Sequence, residues 1–209
     1  MSDIPKGPTY RIETPRLVLR CYNPTDAPLL EKTVQKSKDF LLPWMPWVNS
    51  EPEKLQVKID RLRRFRANFD SDKEYVFGIF NDTETELIGG TGFHPQIGDD
   101  ALEIGYFIHV DHIRKGYCTE AVKALLKIAF TLKKINRIEI HCDPVNIASA
   151  SIPKILGFTH DGTLRARTKN YKGEPKSSMI WSLFKQKYEQ TQDLDIEISA
   201  FNAGGIQLL

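Results

Sequence analysis

Residues Ala101–Phe130 read ALEIGYFIHVDHIRKGYCTEAVKALLKIAF. The first ten are almost wholly apolar, rich in β-branched and aromatic side chains, and predict a buried strand. One carboxylate, Glu103, sits inside that run. From Gly116 to Lys133 the apolar period becomes helical, with Ala121, Leu125, Ile128 and Ala129 on one face. RIEIHCD (Arg137–Asp143) follows as a second buried strand. Strand, helix and strand at this spacing predict a βαβ crossover between parallel strands. A ligand is expected at the carboxyl end of the first of them. The connecting turn, HIRKGYCTEA (His112–Ala121), holds two cations, a glycine and small residues at the start of a helix.

Working outward, RLVLRCY (Arg16–Tyr22) alternates as a strand, and a cap-like Asn23 starts a short helix carrying Leu29, Leu30 and Val34. LLPWMPWVNSEPE is too rich in proline for a regular element, and its Trp44 and Trp47 predict a packed loop. Lys54 to Phe69 reads as a helix. YVFGIFNDTETELIGGTGFHP reads as two strands about the polar turn Asn81–Thr85. Beyond the crossover come a helix from Asn146 to Leu156, stopped at Gly157, and strands over Phe158–Arg167 and Ser178–Phe184. The order β-α-α-β-β-β-α-β-α-β-β is a mixed α/β pattern of about seven strands with an antiparallel hairpin feeding the parallel pair. No internal repeat is visible. The stretch from about Tyr188, acidic and then apolar, reads as a tail outside the core.

At 209 residues with 41% hydrophobic content, the chain suits one large domain, or one domain with a tail. The net charge of +2, from 29 basic and 27 acidic residues, argues against nucleic-acid binding, which usually brings a marked basic excess. Cys21, Cys118 and Cys142 are odd in number and far apart, without zinc spacing; a reducing, cytoplasmic setting and no metal are expected. The opening MSDIPKGPTYRIE lacks the apolar run of a leader, and no run of about 18 apolar residues exists to cross a membrane.

Two nucleotide motifs fail. A P-loop needs GxxxxGK[ST], but here Lys115-Gly116 is followed by Tyr117. GGTGF (Gly89–Phe93) precedes His-Pro rather than a helix, so it reads as a strand with a bulge. The turn at Gly116 has its own phosphate logic. The first N–H groups of a helix lack intrahelical partners and, with the helix dipole, bind anions. Gly116 allows close approach, Cys118 and Thr119 are small, and Arg114 and Lys115 add charge. By itself the turn reads equally as a capped surface helix with solvated cations.

NIASASIPKILGF (Asn146–Phe158), taken with that turn and LEIGYFI, resembles the GNAT superfamily of acetyl-CoA-dependent N-acetyltransferases. The family turn, Gln/Arg-x-x-Gly-x-Gly/Ala, is matched at Gly116, while Ile113 and Cys118 depart from it. TPRLVLR, LPWMPWVNSE, EIGYFI, KGYCTEAV, NRIEIHCDPVN and IPKILGF are, in that order, similar to the branch that acetylates the N-termini of ribosomal proteins. Together they span about residues 14–187, leaving 188–209 as a tail of unknown role. The resemblance implies a twisted mixed sheet whose two central strands splay apart. Coenzyme A would lie in the splay, its pantetheine against main chain around Phe107, Ile108 and Val110. Its diphosphate would meet the N–H groups of Arg114, Lys115, Gly116, Tyr117, Cys118 and Thr119, with Asn146 and Ser149 completing the cofactor set.

The implied chemistry needs a neutral amine. At pH 7, deprotonating a lysine of pKa about 10.4 costs roughly 4–5 kcal/mol, and an α-amine near 7.8 only about 1 kcal/mol. A modest base then suffices, and Glu103 is the candidate, acting directly or through water; its alternative is an edge charge or structural hydrogen bond. Many GNAT enzymes place a tyrosine seven residues after the helix asparagine, to protonate the departing thiolate. Here that position is Pro153. Ser149, one helical turn from Asn146, is the replacement candidate, with Tyr106 and Tyr171 behind it. Asn146 and Ser149 are also ordinary capping residues. Cys118 and Cys142 lack a paired base and read as packing residues.

Trp44, Trp47 and the following helix are expected to wall the acceptor site, with Glu103 inside it. The RARTKNYKGEPK stretch (Arg165–Lys176) is expected to close the other side. RLRRFR (Arg61–Arg66) reads as a solvated face, or as a dock on an acidic or RNA-rich particle. Three functions stay open: acetylation of a protein N-terminus, acetylation of a small amine (antibiotic, polyamine or amino acid), and non-catalytic acyl-CoA binding. A monomer or homodimer is expected.

Overall fold

The computed structural model describes residues 8–95 and 97–209; the first seven residues of the opening stretch lie outside them. The strands are β1 (Arg11–Glu13), β2 (Leu17–Cys21), β3 (Tyr75–Asn81), β4 (Leu87–His94), β5 (Ala101–Ile108), β6 (Arg137–Cys142), β7 (Thr159–Lys169), β8 (Pro175–Phe184) and β9 (Ser199–Phe201). The helices are α1 (Ala27–Leu41), α2 (Leu55–Asp70), α3 (Tyr117–Lys127), α4 (Ile147–Ile155) and α5 (Lys185–Glu189). One sheet holds all nine strands, in the order β7-β8-β6-β5-β4-β3-β2-β1-β9.

Both faces of the sheet are covered, so Leu17, Val18 and Leu19 of β2 are all buried and only Arg20 interrupts the run. Leu17, Leu19 and Cys21 join the core beneath α3, with Ala121, Leu125 and Ile128 from the helix and Phe77 and Phe93 from the sheet. Val18, facing the other way, packs with Leu30, Val34 and Leu62 of α1 and α2. The amphipathic run predicted to Lys133 is helical throughout. Its last turn, Ile128–Leu132, is a π-turn closed by Lys133 N–H to the Ile128 carbonyl at 3.1 Å. GGTGF lies in β4, beside a bulge where Ile88 is skipped between the Ile79–Gly89 and Phe80–Leu87 pairs. A Cβ at Gly89 would sit 2.2 Å from the Phe107 carbonyl oxygen, so glycine is required for β4 to lie this close to β5.

Two expectations are corrected. The sheet has nine strands rather than about seven, because β1 and β9 are three-residue strands too short to show a period. The stretch after Tyr188 is no tail outside the core. β9 pairs with β1 through Ser199–Glu13, Ala200–Ile12 and Phe201–Arg11, and Leu194 and Ala200 are buried. Its acidic part serves α3, with Lys127 Nζ 2.8 Å from Asp195 Oδ1.

The feature that makes a site is the β5–β6 pair, parallel among otherwise antiparallel neighbours. It lasts for Ala101–Arg137, Leu102–Ile138 and Glu103–Glu139. β5 then stays with β4 as far as Ile108, while β6 stays with β8 as far as Cys142. The strands part immediately after Glu103.

Candidate active site

The splay opens a cavity of about 760 Å³. Glu103, Tyr106, His141, Asn146, Ser149 and Trp44 are among its lining residues. A second cavity, about 410 Å³ and mostly apolar, lies beside it and includes Trp47, Phe107, Arg64 and His94. Met45, Gly105 and Tyr106 line both, so the two meet at β5.

At the end of β5 the chain turns into α3. Arg114 and Gly116 both have left-handed backbones, with φ +58° and +80°. This alternation curls successive N–H groups toward one concavity. Among the described residues, none of the N–H groups from Arg114 to Thr119 meets a protein acceptor. Arg114, Lys115 and Gly116 are exposed. The turn is held from below by a contact that sequence reasoning missed. Glu120, buried in the first turn of α3, accepts from Thr14 Oγ1 (2.6 Å), Arg16 N–H (3.1 Å) and Arg16 Nε (2.6 Å). Arg16 also donates to the Lys115 carbonyl at 2.9 Å. The TPR opening of β2 is thereby a buttress for the turn, and a carboxylate one turn into a helix that follows a bare glycine was the available signal.

On β5, Phe107 and Ile108 have strand partners only in β4, leaving the other edge of β5 to the splay. The Val110 N–H is already donated to Ser37 Oγ at 3.0 Å, so that residue can offer only its carbonyl. The Phe107 ring turns the other way, packing edge-on against Trp47 at 5.9 Å.

Glu103 is partly buried at the point of divergence. Its Oε2 lies 3.3 Å from His141 Nδ1, and His141 Nε2 lies 2.7 Å from Glu139 Oε2. Arg137 Nε completes the row at 2.9 Å from Glu139 Oε1. Neither His141 nor Glu139 was singled out in the sequence; they reach Glu103 because β6 is its parallel neighbour.

Across the splay, Asn146 caps α4, its Oδ1 accepting the Ser149 N–H at 3.1 Å. The capping expectation for Asn146 is therefore realised, with its amide NH₂ left over. Pro153, buried within α4, has no N–H to give the carbonyl four residues back, which is Ser149. An orphaned buried carbonyl must find another donor. Tyr106 of β5 supplies it, donating its hydroxyl to the Ser149 carbonyl at 3.1 Å. Ser149 Oγ in turn donates to the Tyr106 oxygen at 3.3 Å. The proline at position 153 thus leaves the Ser149 carbonyl to the Tyr106 hydroxyl. Burial pushes the Tyr106 hydroxyl well above its ordinary pKa, so it stays protonated and acts as a donor.

Burial pushes the Cys118 thiol up to about 12 and raises Cys142, so neither is a ready thiolate nucleophile. Tyr171 is exposed on the β7–β8 turn and lines neither cavity. The two tryptophans divide between the cavities. Lys176 of β8 lies 5.5 Å from the centre of the Trp44 ring and donates to the Pro43 carbonyl at 3.1 Å. Trp47 stands against Phe107 and beneath Arg61, at 5.8 Å. Their loop is anchored by an interior ion cluster. Lys58, wholly buried, pairs with Glu51 and lies 3.5 Å from Glu53, which Arg61 meets at 2.7 Å. Of the predicted basic face, Arg61, Arg63 and Arg66 are paired with Glu53, Asp60 and Asp70, and Arg64 lines the second cavity.

A splayed parallel pair, a bare helix start after it and a carboxylate at the fork have the arrangement expected of a GNAT-type protein. Residues 16–159 match the family model described as acetyltransferase (GNAT) domain, and the chain belongs to that family of N-acetyltransferases. Among curated relatives, YjcK of Bacillus subtilis (strain 168), named as an N-acetyltransferase, is 36% identical over 112 residues. That match covers 52% of this chain and 61% of the relative. The [ribosomal protein uS5]-alanine N-acetyltransferase of Escherichia coli (strain K12) is 29% identical over 167 residues, 77% of this chain and 82% of that one. Among solved structures, RimL, a ribosomal L7/L12 alpha-N-protein acetyltransferase in complex with coenzyme A, superposes with a TM-score of 0.74 over 88% of this chain and 98% of its own. At 20% identity that likeness is one of fold.

Proposed function

We propose that this enzyme transfers acetyl from acetyl-CoA directly to the α-amine at a protein N-terminus. The observation that carries the reading is the splay itself. It ends the β5–β6 pairing at Glu103, and β5 runs on to a turn whose six N–H groups from Arg114 to Thr119 have no protein acceptor among the described residues. Those donors fit a diphosphate, and the free edge at Phe107 and Ile108 fits an extended amide-bearing arm. The RimL neighbour of the same fold, solved in complex with coenzyme A, supports coenzyme A as the ligand. The likeness to the uS5-alanine enzyme over most of both chains supports a protein N-terminus as acceptor.

Acetyl-CoA supplies an activated acyl group and a thiolate leaving group. Glu103 takes the proton from the amine, directly or through water, and His141 behind it holds the carboxylate at the fork. Ser149 Oγ turns its proton from the Tyr106 oxygen to the sulfur, while the Tyr106 hydroxyl keeps its bond to the Ser149 carbonyl. Trp44, Trp47 and Phe107 wall the acceptor entrance and exclude water.

The test is acetyl-CoA turnover with a panel of peptides and small amines, reading thiol release and locating the acetyl group by mass spectrometry. Acetyl on the α-amine of a peptide is the expected result. Turnover only of small amines would refute the acceptor assignment, and coenzyme A binding without turnover would refute the catalytic roles.

A further inference from the structure

β7 contributes little to the core: ten of its eleven residues are exposed. From Leu164 to Ser178 the β7–β8 hairpin carries Arg165, Arg167, Lys169, Lys172 and Lys176 against one carboxylate, Glu174. Lys176 is engaged, 3.1 Å from Asp143 Oδ2 and bonded to the Pro43 carbonyl. Arg165, Arg167, Lys169 and Lys172 form no ion pair with the described residues.

The hairpin is irregular at one place. Leu164 pairs with Ser178 and Thr168 with Lys176, so Arg165, Ala166 and Arg167 together oppose Ser177. Ala166 has φ +50°, a left-handed conformation that residues other than glycine rarely adopt. Bulges of this kind re-aim side chains and cluster beside active sites. Here Arg167 lines the splay cavity, while Glu103, Glu139 and Asp143 line it from β5, β6 and the turn after β6. The cavity has a carboxylate floor, suited to an amine, and an unpaired guanidinium from the hairpin.

We infer that the acceptor carries a carboxylate close to its reacting amine, and that Arg167 on the β7 bulge is the residue that reads it. The inference rests on the N-terminal α-amine reading above, and the acceptor is then a peptide with Asp or Glu among its first residues. The cavity volume equals that of a sphere about 11 Å across. Extended chain covers about 3.3–3.6 Å per residue, which puts the recognised carboxylate within roughly the first three or four positions. The remaining cations of the hairpin extend the same field beyond the cavity mouth.

The experiment compares peptide pairs with identical N-terminal residues, one carrying Asp or Glu at positions two to four and the other Asn or Gln. The wild-type enzyme should favour the acidic member by about fivefold or more in kcat/KM at low salt, shrinking as ionic strength rises. Arg167→Gln should abolish the preference and Arg167→Glu should reverse it, with circular dichroism confirming that both variants are folded. Equal rates for the wild type, or a preference that persists in Arg167→Gln, overturns the inference while leaving the acceptor reading intact. Turnover of small amines with no peptide turned over overturns both. Binding of single-stranded RNA that Arg167→Glu abolishes, with peptide rates unchanged, assigns the hairpin to nucleic acid and also overturns the inference.

Discussion

Substituting Gly116 tests whether the turn before α3 is the diphosphate site. Gly116 has φ +80°, and its carbonyl accepts the Glu120 N–H at 3.0 Å as the helix begins. A residue with a Cβ pays about 1–2 kcal/mol to hold a left-handed backbone. The new Cβ would also stand 3.3 Å from Arg16 Nη2. That guanidinium cannot swing aside freely, because Glu120 and the Lys115 carbonyl hold it. The β-branched side chain of valine adds crowding. The turn therefore relaxes toward negative φ, and the N–H groups from Arg114 to Thr119 lose their common aim. At about 1.4 kcal/mol per decade, Gly116→Val should weaken coenzyme A binding at least tenfold by titration calorimetry. Gly205→Ala is the control: its φ is +75°, no heavy atom lies within 4 Å of the added Cβ, and it lies in the turn after β9. It should lower Tm and leave coenzyme A affinity unchanged. If Gly116→Val also lowers only Tm, the turn is not the diphosphate site.

Glu103→Gln should depress turnover most at low pH, where the acceptor amine is protonated, and lose its effect as pH rises past the amine's pKa; a pH-independent defect would make Glu103 a positioning residue. Ser149→Ala should lower kcat at least tenfold while leaving acetyl-CoA affinity within a few-fold, since one well-placed donor commonly contributes ten- to a thousandfold. A rise in KM alone would move the donor role to Tyr106, and Tyr106→Phe would then carry the kcat loss. Lys58→Met should destabilise the protein by about 3–5 kcal/mol in urea, because it strands Glu51 in the interior; adding Glu51→Gln should recover much of the loss, and failure to recover would mean the pair is not coupled. Truncation after Glu189 should lower Tm by removing β9 and buried Leu194 and Ala200; an unchanged Tm would show that this stretch does not support β1.

The crossover was legible in the chain because it rests on local signals. A strand's apolar run, a helix's period and a glycine between cations are all read within thirty consecutive residues. The same holds for the bare turn at Gly116, since unpaired N–H groups belong to any helix start. The carboxylate at Glu103 stood out because its strand is otherwise apolar. β1 and β9 were not legible: three residues carry no period, and both are defined by their pairing, β1 with β2 and β9, and β9 with β1. The contacts that turn the splay into a site come from distant parts of the chain. Arg16 meets Glu120 across 104 positions, and Tyr106 meets Ser149 across 43. Pro153 announced a missing donor, but which group would satisfy the Ser149 carbonyl depended on the strand facing α4. His141 reaches Glu103 only because β5 and β6 are parallel neighbours up to the fork. Arg167 enters the cavity because a bulge at Ala166 turns it there, a backbone choice that alternating charged residues do not encode. Short-range periodicity determined the elements and the bare turn at Gly116; tertiary packing decided which hydrogen bonds and charges close around the splay, because their partners lie too far apart in sequence for any local pattern to join them.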